Sequence, residues 1–216
     1  MRKIILLTIM LFCCVRLTLA QKPAGDEYPK VEIFAGFSAI GDANAGNQDG
    51  PDFDSNQGFQ ASLIRNVNKY VGIKGDFSFH FDTDRGQGLF TQPCATPPCP
   101  SITQTVTVKS RLYNFLAGPE IKARNRTRLT PFAHALFGAA HGNISVKTSG
   151  AGVSLSDSAS DTGFAMAFGG GLDIRATRRV SFRAMMDYNP TFIGETDAGR
   201  RNRLDNVRIS LGILFH

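Results

Sequence analysis

From Tyr70 to Asp82 the chain reads YVGIKGDFSFHFD, and alternate positions fall into two sets. Val71, Ile73, Gly75, Phe77, Phe79 and Phe81 form the apolar set, while Gly72, Lys74, Asp76, Ser78, His80 and Asp82 form the polar one. A period of two marks an extended strand, because successive side chains there point to opposite faces of a sheet. One strand alone leaves open which face looks inward. A soluble barrel would turn the phenylalanines to its core, and a membrane barrel would turn them to lipid and enclose the charges.

The alternation recurs along the chain. It predicts strands over 30–40, 56–65, 70–82, 104–122, 129–147, 163–175, 180–188 and 204–216, eight in all. In the first, Val31, Ile33, Ala35, Phe37 and Ala39 alternate with Glu32, Phe34, Gly36 and Ser38; in the last, Val207, Ile209, Leu211, Ile213 and Phe215 oppose Arg208, Ser210, Gly212 and Leu214. The facing of 129–147 stays ambiguous, with Phe132 and Leu136 on one parity and Ala133, Ala135, Phe137 and Ala139 on the other. Between strands the connections alternate long and short. Tight turns at 66–69, 123–128 and 176–179 contrast with polar stretches at 41–55, 83–103, 148–162 and 189–203, which are rich in Gly, Asn, Asp, Ser and Pro.

That asymmetry and an even strand number are features of outer-membrane barrels, with short turns on the periplasmic side and long loops outside. Packing points the same way, since an eight-stranded barrel has room inside only for its own side chains and the phenylalanines of most strands would overfill it. The fold expected is all-β: a closed eight-stranded antiparallel transmembrane β-barrel with short periplasmic turns and long extracellular loops.

Composition refines this picture. The N-terminus carries Arg2 and Lys3, an apolar run from Ile4 to Val15, and small residues at Ala20, the pattern of a cleaved secretory signal. Cys13 and Cys14 fall inside it, with Phe12 where lipoprotein processing needs a small residue. The organisation expected is therefore a signal over 1–20, a short lead over 21–29 and the barrel over 30–216. No apolar stretch reaches the roughly 18 residues of a membrane-spanning helix. Without Arg2, Lys3 and Arg16, the 24 basic and 18 acidic residues leave a net charge of about +3 in place of +6, so nucleic acid is not implied.

Several segments together resemble the OmpA-like and OmpX-like family of eight-stranded outer-membrane barrels: KVEIFAGFSAI at the opening, YNFLAGPEIK and TPFAHALFGAAHG in the middle, FAMAFGGGLDIR, and the closing VRISLGILFH. The resemblance covers the chain after the signal. It departs from the family where the final aromatic, Phe215, is followed by His216, and where the absence of tryptophan leaves tyrosine and phenylalanine for the interfacial girdles. The peptidoglycan-binding domain that OmpA-like proteins often carry is not expected, because nothing follows the eighth strand. The resemblance implies a place in the bacterial outer membrane, outer-membrane lipid and lipopolysaccharide as surroundings, the barrel-assembly machinery as a partner in biogenesis, and no cofactor.

The inward set of a membrane barrel would comprise Glu32, Lys74, Asp76, His80, Glu120, Lys122, Asp173, Arg175, Arg183, Asp187 and Arg208. Charges enclosed in this way are tolerable when paired and hydrogen-bonded, and the expectation is a salt-bridge network that plugs the lumen rather than a conducting pore. Cys94 and Cys99, separated by ATPP in a segment expected outside the cell, are expected to form a disulfide; two thiolates alone make an incomplete zinc site. His80, His134 and His141, with Ser78 and Ser145 near them in sequence, are the candidates for a lipid A-modifying enzyme, though no motif joins them into a nucleophile and matched base. The basic turns, with Arg124, Arg126, Arg128, Arg175, Arg178 and Arg179, would either attract phospholipid headgroups or simply cap the strands. The function expected is non-catalytic, either envelope integrity or recognition and adhesion through the extracellular loops toward a ligand or surface. The alternative from another class is a soluble periplasmic or secreted barrel that binds an apolar ligand.

Overall fold

The computed structural model describes residues 28–42, 52–91, 101–125, 127–150, 153–195 and 201–216. These form eight strands, β1 (Val31–Asp42), β2 (Asp52–Asn66), β3 (Val71–Thr91), β4 (Ser101–Lys122), β5 (Leu129–Gly150), β6 (Val153–Arg175), β7 (Val180–Glu195) and β8 (Arg201–Phe215). Each pairs antiparallel with its neighbours in sequence, and β8 returns to β1 with a register running from Ile33–Phe215 to Asp42–Asn206, which closes the barrel. Closure leaves no open edge in the belt, the condition for a sheet to cross a hydrocarbon layer. Among the described residues no helix is long and apolar enough to cross a membrane.

The short turns are built by the residues that favour turns. Asn68 Oδ1 accepts from the backbone N–H groups of Tyr70 and Val71 at 2.7 and 2.8 Å, Asn125 Oδ1 accepts from Thr127 N at 2.9 Å, and Thr177 Oγ1 accepts from the N–H groups of Arg179 and Val180 at 3.2 and 3.1 Å. Each side chain satisfies amides that the ladder leaves unpaired where the chain reverses.

The outward face of the belt is apolar. Ile33, Phe37, Phe59, Leu63, Ile73, Phe77, Phe115, Phe137, Phe168, Phe182, Met186 and Leu211 are all exposed on it. Aromatic residues meet across strands: Phe37 pairs with Phe59, Phe59 with Phe79 and Phe79 with Tyr113, so one row of rings crosses β1 to β4 without tryptophan. The rings of Phe79 and Tyr113 stack at 4.7 Å, and those of Phe77 and Phe115 lie 4.9 Å apart. The facing of β5 is settled as well. Phe132, His134, Leu136 and Ala140 are buried inside, whereas Phe137 lies outside.

The strands run further than alternation alone predicts. β3 continues nine residues past Asp82, and β5 and β6 pair as far as Gly150–Val153, so 148–150 and 153–162 belong to paired strands rather than to a loop. β7 likewise extends to Glu195 and β8 starts at Arg201, which leaves only 196–200 between them. Beyond the lipid belt both faces of a sheet are wet, so the side chains no longer need to alternate in polarity while the backbone pairing continues.

Candidate functional site in the barrel lumen

The inward positions of all eight strands contribute to one polar assembly. Arg183 on β7 donates through Nε and Nη2 to Asp173 on β6 at 2.6 and 2.8 Å, and through Nη1 and Nη2 to Glu120 on β4 at 3.2 and 3.3 Å. Lys122 lies 3.1 Å from Glu120 and 3.8 Å from Asp173, and also pairs with Glu32 on β1. Lys74 on β3 sits between Asp76 at 3.6 Å and Glu120 at 3.8 Å. Arg208 on β8 donates to Asp187 at 2.6 and 3.0 Å, to Asp76 at 3.0 Å and to Ser78 at 3.1 Å. Gln60 and Ser62 on β2 complete the shell of Asp76, each donating to its Oδ1 at 2.6 Å.

Of the eleven inward residues read from the sequence, ten are buried in the lumen, and nine of these carry the ion pairs just described. The tenth, His80, stands apart from the pairs, with Nε2 3.0 Å from Ser38 Oγ, which in turn accepts from Ser210 at 3.0 Å. Arg175 is corrected. It is exposed at the rim, where its guanidinium donates to the Thr127 carbonyl at 3.3 Å, because the strand ends there and the inward parity opens onto solvent. Parity also underrates β5: His134, read from the sequence only as a possible catalytic base, has Nε2 2.9 Å from Asp187 and Nδ1 3.9 Å from Glu120. The signal that could have found it is the triple glycine of β6. Gly169 pairs with His134 on one side and Asp187 on the other, and a Cβ there would strike the Asp187 carboxylate.

Two apolar clusters bracket the charges. Phe34, Ile64, Phe132, Met185 and Leu214 pack together inside, and the Arg183 guanidinium lies 4.0 Å from the Phe132 ring centroid. On the loop side Leu116, Leu136, Ala140, Ala165 and Ala167 form a second cluster, against which Leu112 and Ile193 pack. Paired charges and apolar side chains share the bore, which supports the expectation of a plugged lumen. In planar bilayers the purified protein is expected to give no steady conductance of porin size, and stable openings of that size would show that the network parts.

The lumen offers little to catalysis. The Ser38–His80 contact is enclosed, and among the described residues His80 Nδ1 has no hydrogen-bond partner to orient the ring. Among the described residues one Ser–His–acid sequence exists: Ser181 Oγ lies 2.8 Å from His216 Nε2, and His216 Nδ1 lies 2.9 Å from Glu32 Oε1. Ser181 is paired on both sides, with Arg175 and with Leu214, so its backbone belongs to the ladder and is not free to hold an oxyanion. Glu32 already faces Lys122 and Arg124. The trio is a clasp that ties together the turn-side ends of β1, β7 and β8. Among the described residues no group of three His, Cys, Asp or Glu side chains could hold a metal ion. Cys94 and Cys99 lie outside the described residues.

A closed barrel with apolar groups outside and charge inside has the polarity of a protein dissolved in lipid. The family model for the outer membrane protein beta-barrel domain matches residues 5–215. The chain belongs to this family. It is a protein of the bacterial outer membrane, and the soluble ligand-binding barrel is set aside, since its phenylalanines would have to face inward. Solved structures with a similar fold include Ail, the attachment invasion locus protein of Yersinia pestis, in complex with the heparin analogue sucrose octasulfate (18% identity, 86% of this chain and 95% of that one, TM-score 0.48). Neisserial surface protein A (14%, 87% and 97%, 0.44) and the outer membrane protein OprG from Pseudomonas aeruginosa (8%, 90% and 98%, 0.45) are also similar. A comparison with curated proteins found no match.

Proposed function

We propose that this family member is a non-catalytic recognition protein of the cell surface, which engages an extended segment of a partner protein through the part of the barrel that stands clear of the membrane. The observation that carries this reading is the unequal height of the wall. β3, β4, β5 and β6 run 21, 22, 22 and 23 residues, against 12, 15, 16 and 15 for β1, β2, β7 and β8. Crossing the hydrocarbon takes about 9–11 residues of a tilted strand, so roughly half of each long strand stands outside it.

Among the described residues, the β3 side of this ridge has no ladder partner past Phe81. β3 leaves β2 at the Gln57–Phe81 pair yet continues with β4 to Thr91–Ser101. On the other side, β6 pairs with β5 from Val153, and among the described residues its ladder with β7 begins at Phe164. Unpaired backbone along a sheet edge is a template for an added strand, with main-chain hydrogen bonds supplying affinity and side-chain pockets supplying specificity.

Side-chain chemistry supports the same use, because polarity inverts above the belt. On the face that continues the lumen side, Val108 pairs with Val146, Ser110 with Ile144 and Thr148 with Leu155, and Ile144, Val146 and Leu155 are exposed. The opposite face carries Lys109, Ser145, Lys147, Ser156 and Ser158. Apolar side chains left in water beside an open edge favour a protein partner.

The test is to replace residues 84–107 and 145–158 by tight turns and to display the full and trimmed forms on a non-adherent laboratory strain. Both forms are expected to reach the outer membrane and to keep a heat-dependent gel mobility, and the trimmed form is expected to lose at least tenfold in adherence to cell-covered and protein-coated surfaces. Equal adherence of the two forms would overturn the reading in favour of a role in envelope integrity.

A further inference from the structure

At the periplasmic end the barrel opens into a cavity of about 660 Å³. Glu32 and Asp173 lie at its floor, and Arg124, Arg175, Arg178 and His216 line it. The charges below are balanced. Among the described residues the buried carboxylates are Glu32, Asp76, Glu120, Asp173 and Asp187, and they face Lys74, Lys122, Arg183 and Arg208, with Arg124 closing the set through its 3.0 Å bond to Glu32. Arg175 and Arg178 are therefore surplus to the network. Among the described residues no carboxylate lies within ion-pair distance of either guanidinium, and the acceptor that Arg175 has is the Thr127 carbonyl. The floor cannot answer them, since Asp173 is held by Arg183, and Glu32 by Lys122, Arg124 and His216.

We propose that this mouth is an oxyanion site, in which Arg175 and Arg178 hold a carboxylate or phosphate group presented from the periplasm. A guanidinium offers a planar fork of donors that matches the two oxygens of such a group, and two forks in one concave site add geometry to charge. The turn presents them as a pair: Arg175 is the last residue of β6, and the hydrogen bonds of Thr177 Oγ1 fix the reversal that carries Arg178. Field lines in a cleft with low-dielectric walls are focused on its mouth, which raises the local concentration of anions. The cavity lies on the inward side of the strands, away from the apolar face that meets acyl chains, so a soluble anion enters directly, whereas a lipid headgroup must fold around the rim.

The test uses protein purified from outer membranes and reconstituted in nanodiscs of zwitterionic phosphatidylcholine, with the arginine side-chain nitrogens followed by NMR during titration with inorganic phosphate and with citrate. A saturable shift at Arg175 and Arg178 is expected, retained when sodium chloride holds the ionic strength constant. R175Q/R178Q is expected to weaken binding at least tenfold with unchanged heat-dependent mobility, and R111Q, on the ridge at the other end, is expected to leave it unaltered. A second set of discs containing phosphatidylglycerol separates the sources. Saturation only there would assign the oxyanion to a headgroup, while the absence of saturation in both sets, or equal binding by R175Q/R178Q, would overturn the site.

Discussion

Replacing Arg208 with methionine is expected to destabilise the barrel by about 3–5 kcal/mol, the cost of leaving a buried charge without its partner. The magnitude follows from what the guanidinium joins. It is fully buried, and its donors reach Asp187 at 2.6 and 3.0 Å, Asp76 at 3.0 Å and Ser78 at 3.1 Å, which ties β8 to β7 and β3 through the bore. Asp76 would retain Lys74, Gln60 and Ser62, but among the described residues Asp187 would keep only His134. The measurement is the shift in the urea midpoint of the reconstituted barrel, read with its heat-dependent mobility. R208M/D187L removes the stranded carboxylate together with its partner and should recover more than half of the loss, because exchanging a buried ion pair for apolar groups of similar volume is near neutral. A cost below about 1 kcal/mol for R208M would mean that water replaces the guanidinium, against the expectation of a plugged lumen.

This network was legible in the sequence to the extent that the membrane forces alternation. Wherever lipid lies against a strand, one parity must be apolar, and Lys74, Asp76, Glu120, Arg183 and Arg208 fall inward for that reason. Where that force stops, so does the legibility. In β6, Ser154, Ser156, Ser158 and Ser160 read as a loop because nothing apolar alternates with them regularly, yet the backbone keeps its ladder with β5 through every one of those positions. Arg175 obeys the inward parity but lies where the wall ends, so its position in the pattern was right and its burial was not. His134 was hidden by a different cause: β5 carries alanine on its outer face at Ala133, Ala135 and Ala139, small enough to blur which side is lipid. Only its neighbours resolve the side: His134 pairs with Gly169 of β6, where a Cβ would strike the Asp187 carboxylate that His134 reaches. The ridge edges follow from pairings between strands far apart in sequence, which no local pattern contains.

Substituting arginine for Phe115 is expected to destabilise the barrel by about 2–4 kcal/mol through the cost of a charge near the bilayer midplane, with a further loss of about 0.5–1.5 kcal/mol from the aromatic pair with Phe77. Phe115 is 56% exposed, and its ring lies 4.9 Å from that of Phe77, so nothing inside the protein resists the change. In water the same substitution on an exposed strand face would be nearly neutral. Depth provides the control. Ile121 sits on the same outward face of β4 with comparable exposure, 58%, but one residue from the end of the strand at the periplasmic turn. An arginine there can extend its head to the interface, and the cost should fall to about 0–1 kcal/mol. Unfolding of the two variants from the same lipid bilayer compares them directly. A gap between Phe115→Arg and Ile121→Arg larger than the aromatic pair accounts for comes from the solvent outside the wall, because both side chains leave the lumen untouched. Equal costs would mean that the apolar face is covered by something other than hydrocarbon at both depths.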